Sequence, residues 1–183
     1  MVWLSNSTLA RLRDQLQTRG RRPSIAATEA GISAEDAEAL AMTSEYGPLC
    51  EAMYLMMSAD GTVGTEEREV LRGALRNLAG DAIRTAHIDA MLAAAEKEVA
   101  GGSREGRLAE VAAGLKADRA RAEVAFVLAA AIAFADNAIA DEENETLNDL
   151  AEGLGIDEAR ANELLDEVER DLAGGSRDGG EKN

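Results

Sequence analysis

The sequence predicts an all-α protein: a helical bundle of about eight or nine helices, built from two like helix-loop-helix units about an approximate two-fold axis. Three observations predict it. Apolar residues recur at helical spacing along most of the chain. The apolar stock is aliphatic and alanine-rich, with aromatics at 3%, which suits closely packed helices better than packed sheets. The third is an internal repeat, in which Ala59-Asp60 recurs as Ala135-Asp136 with the flanking pattern intact. At 183 residues the chain suits one domain and can bury a core without disulfide or metal staples.

In chain order, Leu9, Leu12 and Leu16 place a helix over Ser7 to Thr18, and Gly20 to Gly31 reads as a linker. Ser33, with Asp36 three residues on, caps a short helix. A separate helix starts at Pro48 and runs to Ala59, with Leu49, Met53, Met56 and Met57 on one face. Asp60-Gly61-Thr62-Val63-Gly64 is a turn. Thr65 caps a helix to Ala79 that turns Val70, Leu71, Ala74, Leu75 and Leu78 inward. Arg84 to Ala100 follows, with Ile88, Met91, Leu92, Ala95 and Val99 inward, and Gly101-Gly102 ends it. The methionines read as core filler.

The second half retraces this course. Arg104 to Lys116 leads in on Leu108, Val111, Ala112 and Leu115. Arg119 to Ala135 holds the most apolar run, Val124 to Ala135, which is too short to span a bilayer and reads as a central buried helix. Asp136-Asn137-Ala138-Ile139-Ala140 is the second turn, Asp141 caps a helix to Leu154, and a last helix covers Asp157 to Leu172. Between the halves Val63 falls on Ile139, and Glu66, Glu67 and Glu69 fall on Glu142, Glu143 and Glu145. After a three-residue deletion, Ala100-Gly101-Gly102-Ser103-Arg104 matches Ala173-Gly174-Gly175-Ser176-Arg177. The division this implies is a helical extension over 1–46, a duplicated domain over 47–173 with repeats near 47–103 and 119–177, and a disordered, Gly-rich tail over 174–183.

The net charge of −16 argues against nucleic-acid binding by the main body and favours cations or basic protein surfaces as partners. The first segment runs the other way, with Arg11, Arg13, Arg19, Arg21 and Arg22 against Asp14. Either it docks on the acidic body or stays solvated, or it meets an acidic partner or a membrane surface. Cys50 is the only cysteine and lies in an apolar helix, so it reads as a small buried hydrophobe in a reduced, cytoplasmic compartment. The start lacks the pattern of a signal peptide. No catalytic signature is present: His87 reads as a surface residue without a nucleophile or metal partner, and Gly101-Gly102-Ser103-Arg104 lacks the Lys-Ser/Thr of a phosphate loop. The expectation is a protein that is not an enzyme.

Chemistry concentrates in the turns. Each half carries Ala-Asp-x-x-(Val/Ile)-x-x-Glu-Glu between two amphipathic helices. Asp60 extends the stripe of Met53, Met56 and Met57, and Glu67 heads the stripe of Leu71, Ala74 and Leu78. Asp136 likewise extends Ala125, Leu128 and Ile132, and Glu143 heads Leu147, Leu150 and Leu154. A carboxylate on an inward face needs a hydrogen-bond donor, a cation or a raised pKa. Three readings stand open. Each Asp can accept backbone N–H groups while each Glu sits in the favourable first turn of its helix. Asp60 with Glu67, or Asp136 with Glu143, can offer hard oxygen ligands to a divalent cation, Ca²⁺ first among them. The carboxylates can also form a recognition patch for a basic partner. The first turn reads like the back half of an EF-hand loop, but the two earlier ligand positions are Met56 and Ser58, and in the second copy Ile132 and Phe134. Any metal therefore needs ligands from the other half or from water.

The pattern Ala-Asp-Gly-x-aliphatic-x-x-x-Glu in a helical hairpin, repeated once, resembles the TerB (tellurite-resistance) family and the TerB-like domain at the start of a membrane-anchored DnaJ-type co-chaperone. The resemblance covers about Pro48 to Leu172 and leaves out the segment to Tyr46. It implies an internally duplicated helical bundle, a non-enzymatic role in a bacterial stress-response assembly of tellurite or metal type, and metal binding by Asp60, Glu67, Asp136 and Glu143. Asn137 and Ala138 depart from the usual Gly-containing turn. The alternative is an interaction adaptor with an acidic surface and purely structural turn carboxylates.

Overall fold

The computed structural model describes residues 4–17, 33–61, 63–80, 83–134 and 141–175. Among these it shows eight α-helices and no strand: α1 (Asn6–Gln17), α2 (Ala34–Met57), α3 (Thr65–Ala79), α4 (Thr85–Gly101), α5 (Arg104–Lys116), α6 (Arg119–Ala133), α7 (Asp141–Leu154) and α8 (Glu158–Gly175). Side-chain caps start several of them. Ser33 accepts from Asp36 N, Ser103 from Gly106 N, Asp118 from Arg121 N and Asp157 from Arg160 N. The bounds differ from the sequence expectation at a few ends. Gly64, not Thr65, is the N-cap of α3, α6 stops at Ala133, and α8 runs on through Gly174 to Gly175. The expected linker over Gly20 to Gly31, the second turn and residues 176–183 lie outside the described residues.

One expectation fails clearly. The two helices placed on either side of Pro48 are a single helix, α2, with Pro48 inside it, and it passes straight through the boundary drawn at residue 46. Proline cannot donate to the carbonyl four residues back, which is that of Ser44. Here Arg121, in the first turn of α6, donates through Nη2 to Ser44 O at 2.9 Å and also to Glu45 O. The guanidinium replaces the missing N–H, so the chain continues as helix instead of breaking.

The core centres on α2 and α6, which pack against each other. Every residue of α6 from Val124 to Ala133 is buried, which makes it the central apolar helix the sequence predicted. On α2, Leu49, Cys50, Met53 and Met56 are all but fully buried, and Met91 of α4 joins the same cluster, so the methionines fill core. Burial pushes the Cys50 thiol up to about 12, an inert cysteine. His87 is a correction: it is half-buried in the first turn of α4, and its Nδ1 is enclosed without a hydrogen-bond partner among the described residues.

The duplication reaches further than the two hairpins. α1–α4 and α5–α8 pack by the same rules. The first helix of each set lies against the third (α1 on α3, α5 on α7), and the second lies against the third and fourth. The first helix of each set also leans on the second helix of the other, α1 on α6 and α5 on α2. The segment expected as an extension thus contributes core, with Leu4, Leu9, Leu12 and Leu16 buried. Its basic face docks on the acidic last helix: Arg11 pairs with Glu167 at 2.9 Å, and Ser5 N donates to Asp171 Oδ2 at 2.8 Å. Arg19, Arg21 and Arg22 lie outside the described residues. The third helices both end on a glycine of positive φ, Gly80 (φ 62°) and Gly155 (φ 72°), each overlain by a cation from the first helix of its set, Arg13 and Lys116. At Gly155 the bonds Gly155 N to Glu152 O and Ile156 N to Ala151 O complete a Schellman motif.

Candidate functional site at the hairpin turns

The first turn is tightly built. α2 passes into a 3-10 turn, Ser58–Asp60, in which buried Ser58 donates its hydroxyl to Leu55 O at 3.1 Å. Gly61 N closes on Ser58 O, and Gly61 sits at φ 102°, a conformation that favours glycine. Val63 packs on the core, and Gly64 then opens α3. Glu67 lies at the third position of α3, and its Oε2 accepts from Gly64 N at 2.6 Å. That is the back-bonding half of a capping box, so one oxygen of Glu67 serves the helix start.

The stripes beneath the turn carboxylates lie as the periodicity required. Leu71, Ala74 and Leu78 are buried below half-buried Glu67, and Leu147, Leu150 and Leu154 below half-buried Glu143. Asp60 ends the 3-10 turn in its backbone, while its side chain, together with Asp136 and residues 135–140, lies outside the described residues. Among the described residues, no group of three or more His, Cys, Asp or Glu side chains is placed to hold a metal.

A residue the pattern did not single out ties the halves together. Arg104, at the start of α5, donates through Nε to Leu55 O at 3.3 Å and through Nη2 to Thr146 Oγ1. Thr146 is buried on α7 and donates in turn to Glu142 O at 2.7 Å. The first turn also packs directly on α7. The turn that ends in Asp60 and the helix headed by Glu143 are therefore neighbours, one from each repeat. Gly-Gly-Ser-Arg was visible only as a repeated string; nothing local announced that its arginine reaches a carbonyl and a threonine on two other helices.

Several surface carboxylates face arginines: Glu96 on α4 with Arg68 at 2.6 Å, Asp89 on α4 with Arg72 at 2.6 Å, and Glu51 on α2 with Arg107. Hydrogen bonds from Arg160 and then Arg119 hold the Glu123 carboxyl below the usual carboxylate range. α7 is different. It carries Asp141, Glu142, Glu143, Glu145, Asp149 and Glu152 and no basic residue. All but Glu143 are exposed, and none of those five has an ion-pair partner among the described residues.

Residues 49–166 match the family model described as tellurite resistance protein TerB. The chain belongs to the TerB family. No curated protein and no solved structure matches it. The TerB span opens one residue after Pro48, inside α2, and closes within α8, so it takes in both hairpins and the Arg104 link. α1, which packs as the counterpart of α5, lies outside the TerB match. No helix among the described residues of this TerB protein is long and apolar enough to cross a membrane.

Proposed function

We propose that this TerB-family chain is a non-enzymatic module of a stress-response assembly of the tellurite-resistance type, and that it works by docking the outer face of α7 onto a basic partner. The supporting observation is the row Asp141, Glu142, Glu145, Asp149 and Glu152, exposed on a helix with no basic residue. Neighbouring helices neutralise many of their carboxylates with arginine; α7 leaves this row to the solvent. A charged face of one sign speeds and orients the approach of an oppositely charged surface. The test compares a Glu145→Gln/Asp149→Asn/Glu152→Gln protein with a control that removes equal charge from α8, Glu158→Gln/Glu163→Gln/Glu169→Gln. Binding of a Lys/Arg-rich amphipathic peptide at low salt should fall with the α7 set and hold with the α8 set. Equal loss in both would reduce the effect to net charge and sink the reading. In the native host, the α7 set should also fail to restore tellurite tolerance to a strain lacking the gene.

A second reading has its own support. The neighbourhood of the first turn and the head of α7 favours a divalent cation, Ca²⁺ first, held jointly by Asp60, Glu67, Asp136 and Glu143. Glu67 fits this only in part, because Gly64 N already occupies one of its oxygens. Calorimetric titration with Ca²⁺, Mn²⁺ and Zn²⁺ at low salt decides it. Heat that vanishes in Asp60→Asn/Asp136→Asn supports the reading, and silence in the unaltered protein ends it.

A further inference from the structure

We infer that a cleft far from the hairpin turns binds a small organic anion with a short aliphatic body. The cleft lies where the end of α5, the start of α6 and the α7–α8 turn meet, and its volume is about 220 Å³. At about 30 Å³ per water, that is room for roughly seven waters, or a molecule of similar heavy-atom count.

Its lining has two parts. The apolar part is Ala122, Leu154 and Ile156, the first two buried. The polar part sets Lys116, Arg119 and Arg160 against Glu123 and Asp157. Both carboxylates are already engaged. Glu123 accepts from Arg160 Nη2 at 2.8 Å, Arg160 Nε at 3.2 Å and Arg119 Nε at 3.1 Å, and Asp157 Oδ1 accepts from Arg160 N at 2.9 Å. The cations are not matched in the same way. Among the described residues Lys116 has no ion-pair partner and the terminal nitrogens of Arg119 carry no hydrogen bond, on a side chain 78% exposed. The Lys116 stem crosses Gly155, where an added methyl group would stand 2.9 Å from Lys116 Cε, so this glycine lets the lysine lie over the α7–α8 turn beside the cleft. In a chain of net charge −16, a concavity with surplus cation beside an aliphatic wall is set apart from the rest of the surface. A carboxylate or phosphate head would meet Lys116 and Arg119 in charge-assisted hydrogen bonds while a branched aliphatic body covers Leu154 and Ile156.

Amide-resolved NMR titration of the full chain with isovalerate, and in parallel with inorganic phosphate, tests this. The expected result is saturable shifts at Ala122, Gly155 and Ile156 with isovalerate, weaker ones with phosphate, and affinity reduced about tenfold or more in Lys116→Met and Arg119→Gln. Both altered side chains are exposed, and unchanged thermal melting would certify their fold. An equal response to phosphate would overturn the aliphatic half of the assignment. Shifts absent, spread over the surface, or indifferent to both substitutions would overturn the whole.

Discussion

Arg121 carries the sharpest single-residue argument. Its Nη2 supplies the hydrogen bond that Pro48 denies to Ser44 O and donates to Glu45 O as well, while its Nε is buried without a hydrogen-bond partner among the described residues. Arg121→Met leaves Ser44 O without its replacement donor and should cost about 1–3 kcal/mol in urea unfolding. Restoring the N–H with Pro48→Ala should reduce that cost, because residue 48 can then donate to Ser44 O. A double-mutant cycle with no coupling between positions 48 and 121 would refute the account. The same pair shows why the sequence misled here. Proline is a good marker of a helix start, and its rescuing donor sits on another helix where no local pattern reveals it. Glu67 stood out in the sequence as an inward carboxylate, but its bond to Gly64 N did not, for a related reason. A capping box is recognised by Ser, Thr or Asp at the N-cap, and this one has Gly64.

Among the elements, the contact of α6 with α8 rests on Glu123, whose side chain is 14% exposed between Arg160 and Arg119. Its folded-state pKa is depressed, so its contribution is present above the unfolded value and is lost as pH falls through the folded one. Glu123→Gln should therefore melt below the unaltered protein at neutral pH, and the gap should close as pH drops below about 4. A gap that stays constant down to acid pH would mean the cost is packing, not charge. α1 gives the second test. Because it stands where α5 stands in the other set, Leu12→Ala should destabilise by about 2–5 kcal/mol, as a core truncation does. A change of a few tenths would return α1 to the status of an appendage. Periodicity made each helix legible from its own leucines, and the repeat made the pairing of hairpins legible. The equivalence of α1 and α5 was not, because beyond leucine spacing the two helices share little sequence, and only their packing partners reveal it.

For the molecule as a whole, a net charge of −16 on one bundle sets the balance between cohesion and self-repulsion. Raising NaCl through the range where the Debye length falls from about 30 Å to about 8 Å should raise the melting temperature, with surface ion pairs weakening less than global repulsion. A melting temperature that falls instead would place the arginine bridges above net charge. Because the two halves share the α2–α6 contact, and each lends its first helix to the other, neither can close its own apolar face. A polypeptide holding only one half would leave α2 or α6 uncovered on the side meant for its counterpart. Such a fragment has one satisfactory way to hide it: a second copy of itself, arranged head for head, so that this single chain is the covalent form of what two shorter ones would otherwise have to assemble.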